Sequence, residues 1–214
     1  MKTVLCYGDS NTYGFPPLLD FAHVLTRYGI HERWAGVMRD QLGDGYHVVE
    51  EGLGGRNTVF DDPVEGNHRN GRTYLLPCLE TVQPVDLVIF MLGTNDLKAR
   101  FSAPTFDIVW GMNQLASFVL SSSFGANRAA PQVLIIAPVP LGKLTFFAEM
   151  LEGGHAKSLA LRDGYKDLAQ SLNCGFLDAA EYVNVSDIDG VHFDASEHKK
   201  LGIGVAQKVK EMLP

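Results

Sequence analysis

A serine, a histidine and an aspartate occupy positions from which acyl transfer could be run. Ser10 closes Gly8-Asp9-Ser10, directly after the apolar run Thr3-Val4-Leu5-Cys6-Tyr7. A short β-branched and apolar run ending in Gly reads as a buried strand entering a tight turn. A hydroxyl there is a weak nucleophile until a base, an acid that orients the base and an oxyanion site are supplied. Asp189 and His192 lie on one Gly-containing loop, Asp189-Gly190-Val191-His192. At that spacing the carboxylate can accept the imidazole Nδ1–H, fix the tautomer and leave Nε2 to take the Ser10 proton. Gly54-Gly55-Arg56-Asn57 and Gly93-Thr94-Asn95-Asp96 supply further loop segments. Taken singly, each has an ordinary structural reading: a chance Asp-x-x-His in a surface turn, an Asn in αL geometry, glycines serving only a bend. Asp9 reads as a brace for the Ser10 turn through backbone hydrogen bonds, not as a base. Order and placement along the chain carry the argument.

The elements that must position these residues alternate. Strands are expected at Thr3–Tyr7, Tyr46–Glu51, Val85–Leu92, Gln132–Ala137 and Gly175–Ala179. The near-continuous Val/Leu/Ile/Phe content of the third fits a strand covered on both faces. Helices are expected at Arg33–Leu42, after Pro104 with Ile108, Met112, Leu115, Val119 and Leu120 on the apolar face, at Lys157–Leu172, and from about Ala195 to Leu213. Such alternation implies right-handed crossovers and a parallel sheet between helical layers: an α/β fold, with residues 1–214 forming a single domain. All four chemical segments then fall on loops near carboxyl strand ends, where open sheets of this kind keep their ligand crevice. Two long connections, Gly54 to about Arg72 and Pro138 to about Gly154, leave that same side and read as binding loops or lids. In the second, Leu144, Phe147 and Leu151 are spaced to share one face of a short helix bordering the pocket or a subunit contact.

Composition narrows the class. The 214 residues are 46% hydrophobic and 20% charged, as in ordinary globular chains. A formal charge of −7 without any long basic run argues against nucleic acid as a partner. The apolar stretches are too short to span a bilayer, and no signal peptide is expected after Met1-Lys2. Three widely spaced cysteines suit reduced thiols in a cytoplasmic protein. No metal is expected, since the seven histidines show no ligand spacing, and no cofactor is required.

These blocks resemble the SGNH hydrolases, the GDSL-type esterase family, whose markers contribute Ser, Gly, Asn and His. Ser10 matches the first block, Gly55 (with Gly54 as the alternative) the second, Asn95 in Gly-x-Asn-Asp the third and His192 in Asp-x-x-His the last. The likeness runs from residue 8 to residue 192. It departs at Asn11, where the family name has leucine, and at Gly-Gly-Arg-Asn in place of the commoner Ser-Gly. Glu50-Glu51-Gly52-Leu53, Asp61-Asp62-Pro63, Met91-Leu92-Gly93-Thr94-Asn95-Asp96 and Asp189-Gly190-Val191-His192-Phe193 are similar to the arylesterase and acyltransferase branch.

The resemblance implies a three-layer α/β/α sandwich with a five-stranded parallel sheet, flavodoxin-like in shape. It implies a serine esterase acting on short-chain, acetyl-like esters of aryl or small alcohols through an acyl-Ser10 intermediate, in a branch whose members can pass the acyl group to alcohols or peroxide. Ser10, Asp189 and His192 are then catalytic, and the Ser10 and Gly55 N–H groups with the Asn95 amide form the oxyanion hole. Asn11, Phe15, Lys98, Phe146, Phe147 and Val191 are assigned to the substrate pocket. The branch is commonly homo-oligomeric. Rival readings are a carbohydrate acetylesterase, a thioesterase or lysophospholipase needing room for a long acyl chain, and a flavodoxin-like small-molecule binding protein without catalysis. Against the last, no Gly-x-Gly-x-x-Gly or Walker-type loop is present, and the Gly-x-Ser-x-Gly elbow of a different esterase fold is absent too.

Overall fold

The structure, a computed structural model, describes residues 1–20 and 26–214. Its sheet holds β1 (Lys2–Gly8), β2 (Tyr46–Gly52), β3 (Leu87–Met91), β4 (Gln132–Ala137) and β5 (Gly175–Asp178). The strands are all parallel, in the order β2-β1-β3-β4-β5. Successive side chains on a strand point to opposite faces, and both faces here are apolar. Val4, Cys6, Ile89, Leu134 and Ile136 pack against α2 (Trp34–Leu42) and α6 (Ala195–Met212). Leu5, Tyr7, Phe90, Val133 and Ile135 pack against α3 (Gly71–Val82), α4 (Thr105–Leu120) and α5 (Gly154–Ser171). The result is the expected three-layer α/β/α sandwich.

Strand order and register determine where loops meet. Because β1 is flanked by β2 on one side and β3 on the other, its carboxyl end is a point where the winding reverses and a crevice opens. Gly8 pairs with Gly52 and with Met91, so three strands end level with one another. Ser10, Gly54–Gly55 and Gly93–Asn95 follow within a few residues. His192 arrives from the far side of the chain, just ahead of α6. That helix is polar overall, yet Leu201, Val205 and Val209, spaced four apart, are fully buried. Each contributes roughly 1.5–3 kcal/mol, which anchors the end of the His192 loop.

One helix goes beyond the expected elements, and one expectation needs correction. A 12-residue helix, α3, follows the second strand's long loop, although Pro77 in its interior reads as a breaker. Leu75, Cys78 and Leu79 are buried on one side, and this packing outweighs the hydrogen bond that Pro77 cannot donate. Conversely, Leu144–Leu151 is not a short helix: turns begin at Phe146, with one helix-like bond, Leu151 N–H to Phe147 O at 3.0 Å. One such bond is too few to offset the cost of nucleating a helix. Its apolar side chains still converge: Leu151 is buried, and Leu144, Phe147 and Met150 pack on the core. Elsewhere the expected elements differ by a few residues at their ends; β3 is the shorter Leu87–Met91, with Val85 and Leu92 buried beyond it.

Candidate active site

Ser10 opens a single helical turn, α1 (Ser10–Tyr13). Asp9 caps it, its Oδ1 accepting the Asn11 N–H at 3.0 Å. Gly8 must be small: a Cβ there would lie 2.0 Å from Thr12 Oγ1. The turn can therefore fold back tightly and leave the Ser10 hydroxyl at the crevice.

His192 Nε2 lies 2.9 Å from Ser10 Oγ, and His192 Nδ1 lies 2.7 Å from Asp189 Oδ2. A carboxylate only accepts, so the Nδ1 proton faces Asp189 and Nε2 is left as the acceptor for Ser10 O–H. Asp189 is fully buried. Burial alone would raise its pKa, but the hydrogen bond and charge of His192 and the N–H groups of His192 and Leu18 together hold it below the usual carboxylate range. Its Oδ1 accepts from Val191 and His192 N–H, both at 2.9 Å, and its Oδ2 also accepts from Leu18 N–H at 2.8 Å.

The third loop contributes Asn95, whose Nδ2 is 3.4 Å from Asp9 Oδ2. Next to it Asp96 is buried and binds Thr58, accepting its N–H at 3.0 Å and its hydroxyl, which ties this loop to the one after β2. Burial pushes both Asp9 and Asp96 up to about 6. For Asp9 the Asn11 N–H, His192 and Arg56 offset this in part; for Asp96 the Thr58 bonds do so, while the Asp9 charge adds to the rise. On the loop after β2, Gly55 has φ +75°, and a Cβ would meet Glu65 Oε2 at 2.3 Å. Only glycine suits that position.

A cavity of about 580 Å³ joins these parts. Ser10, Gly54, Gly55, Asn95 and His192 form its floor, and Phe15, Phe146, Phe147, Met150, Leu151 and Val191 give it an apolar wall. Phe147 stands 5.7 Å from the His192 ring, and Phe15 meets it edge-on at 6.3 Å. Glu65, Arg69 and Arg100 make a charged side.

Two expected pocket residues lie elsewhere. Lys98 is buried, 2.6 Å from Glu65 and 3.2 Å from Asp62, and does not line the cavity. A desolvated ammonium needs anionic partners, and these claim it. Burial would raise the pKa of Asp62, yet the Glu65 and Val64 N–H groups and Lys98 bring it down to about 2. Asn11 also stays out of the cavity; its Nδ2 donates to Val191 O at 3.1 Å and holds the His192 loop. Sequence reasoning passed over Arg56, which is buried, stacks 4.1 Å over the Tyr7 ring and donates to Gly8 O at 3.0 Å. It also passed over Arg69. A buried arginine leaves no mark in sequence that separates it from an exposed one.

The GDSL-like lipase/acylhydrolase family model matches residues 6–200. No curated protein matches the chain. Among solved structures, the native aryl esterase of M. smegmatis is 40% identical with a TM-score of 0.94, and each chain is covered in full. Its inhibitor-bound form gives a TM-score of 0.95 at the same identity, again with full coverage of both chains. A carbohydrate acetylesterase from Sinorhizobium meliloti is also 40% identical, with a TM-score of 0.94 and full coverage of both chains.

Proposed function

The chain belongs to the GDSL-like lipase/acylhydrolase family and is a carboxylic ester hydrolase, and from that premise we propose that it transfers short acyl groups through Ser10. One observation carries this reading: the continuous Asp189–His192–Ser10 hydrogen-bond chain ending at the floor of the cavity. His192 takes the Ser10 proton as Oγ attacks the ester carbonyl carbon, and Asp189 balances the imidazolium that forms. The carbonyl oxygen becomes an oxyanion met by the Ser10 and Gly55 N–H groups and the Asn95 amide. Collapse breaks the bond to the alcohol, which leaves with the proton from His192. Water then attacks the acyl-Ser10 ester by the same route; an alcohol or peroxide in its place gives acyl transfer or a peracid.

The aromatic wall suits acetyl-like esters of aryl or small alcohols. A second reading, a carbohydrate acetylesterase, is supported by the charged side at Glu65, Arg69 and Arg100 and by the S. meliloti relative. Residues 1–214 act as one domain in this proposal, in a cytoplasmic homo-oligomer. Among the described residues no helix is long and apolar enough to cross a membrane.

A fluorophosphonate is expected to label Ser10 in the wild type, and Ser10→Ala should lose at least ~10³-fold in p-nitrophenyl acetate turnover with its circular dichroism unchanged. Substantial residual turnover in that variant would overturn the covalent route. Rates for p-nitrophenyl esters from acetate upward, set beside an acetylated sugar, rank the two substrate readings.

A further inference from the structure

The peptide joining Gly54 to Gly55 belongs to no regular element and is flanked by glycine on both sides. Glycine has the widest backbone range, so this peptide rotates freely unless something outside grips it. Cations grip both neighbouring carbonyls. Arg69 Nη1 donates to Gly54 O, and Lys98 Nζ lies 3.4 Å from Gly55 O. Among the described residues the Gly55 N–H has no protein acceptor, and Gly54, Gly55 and Arg69 line the cavity beside Ser10 and Asn95. In a planar trans peptide the C=O and N–H point in opposite directions. A group that captures Gly54 O therefore also aims the Gly55 N–H.

We propose that Arg69 is a positioning residue of the oxyanion site, holding the Gly54–Gly55 peptide so that the Gly55 N–H faces the oxygen attacked through Ser10. The inference rests on the acyl-transfer reading above. A charge-assisted bond is about twice as strong as a neutral one. By drawing electron density onto Gly54 O it also strengthens the N–H as a donor, by ~10–30%. The Arg69 backbone is itself anchored, and its Nε, without a hydrogen-bond partner, faces an anion. Arg69 N–H and C=O bond to Gly66 and Asn57, both at 3.0 Å, and Nε lies 3.8 Å from Glu65 Oε2. Glu65 is held in turn by Lys98 at 2.6 Å and Arg100 at 3.4 Å. The Arg69 stem packs directly on the turn, its Cδ 3.3 Å from where a Gly55 Cβ would stand. A direct contact between Arg69 and substrate would act on binding; an aimed N–H acts on the transition state.

An alkyl trifluoromethyl ketone separates the two, because its adduct with serine carries the oxyanion of the tetrahedral state. Arg69→Met should lower kcat for p-nitrophenyl acetate by ~10-fold with KM within about twofold, and weaken the ketone by the factor lost from kcat/KM. Arg69→Lys, which keeps the charge and a donor, should recover most of both. If Arg69→Met does not fold, Arg69→Gln, neutral and too short to reach Gly54 O, carries the same expectations. An unchanged ketone affinity, or a loss confined to KM, overturns the proposal, whatever the melting temperature does. The covalent reading is checked separately by ketone inhibition of the wild type and its loss in Ser10→Ala; if the wild type is not inhibited, both readings fall together.

Discussion

Two buried aspartates flank the Ser10–His192 pair, and their surroundings differ in kind. Asp189, on the loop before α6, accepts from Leu18, Val191 and His192 N–H and from the imidazole, and its pKa is held down despite complete burial. Asp9, beside Ser10, accepts one N–H at 3.0 Å and a long contact from Asn95 at 3.4 Å, and burial pushes it up to about 6. A carboxylate away from water keeps its charge where enough donors converge on it. Here the donors are gathered at the carboxylate facing the ring that would gain a proton in the proposed acyl transfer. The other faces Asn95, where negative charge would build up on the substrate and where a second anion would oppose it.

The sharpest way to break this contrast is to neutralise Asp189. Asp189→Asn should lower kcat by on the order of 10³–10⁴-fold, about 4–5.5 kcal/mol of barrier, by favouring the wrong imidazole tautomer. A loss below about tenfold, in single-turnover measurements where acylation limits, would mean that Asp189 is only a loop anchor.

The same exchange at Asp9 should act on stability. The folded state raises the Asp9 pKa from 3.8 to about 6, so the fold holds this proton more tightly than the unfolded chain does. Its stabilising contribution is thus present below pH ~4 and is lost as pH rises through about 6. Asp9→Asn keeps an acceptor for the Asn11 N–H and removes the buried charge. Its unfolding free energy relative to wild type should therefore climb between pH 4 and 7, by up to ~3 kcal/mol. A pH-independent difference in urea titrations would show that Asp9 carries its charge without cost.

The smallest effect is expected at the apolar wall, which touches the His192 side of the pair. Phe146→Ser with Phe147→Ser should change the ratio of kcat/KM for butyrate and acetate esters by ~3–10-fold, or alter partitioning between water and alcohol. If selectivity, partitioning and the mass by light scattering all stay as in the wild type, the segment is neither pocket wall nor subunit contact.

β1 and β3 were legible because they are short, apolar and run into glycine, and because Ser10 and Asn95 follow those glycines; His192 was legible from its spacing to Asp189. α3 was not, since Pro77 masks a helix that packing holds together. The failure at Lys98 has a different origin. Its neighbours along the chain place it beside Asn95, whereas its partners Asp62 and Glu65 come from the preceding loop. Local spacing can bring Asp189 to His192 but says nothing about an ion pair formed across two loops. Arg69 was missed for the same reason: its partner is a backbone carbonyl 15 residues away, and a carbonyl has no residue type to read.

The hydrogen bond between Ser10 and His192 joins residues 182 positions apart. Among the described residues, Leu18 N–H to Asp189, Asn11 Nδ2 to Val191 O and ring contacts fasten the two loops directly. In folding terms this pair, the centre of the proposed chemistry, is a contact of very high order, closed at large chain entropy across all the intervening strands. On the proposed roles, no fragment that lacks either end carries the machinery. If Ser10 and His192 act as proposed, esterase activity in this chain reads out global assembly, whereas helical content also counts turns that neighbours along the sequence can begin without it.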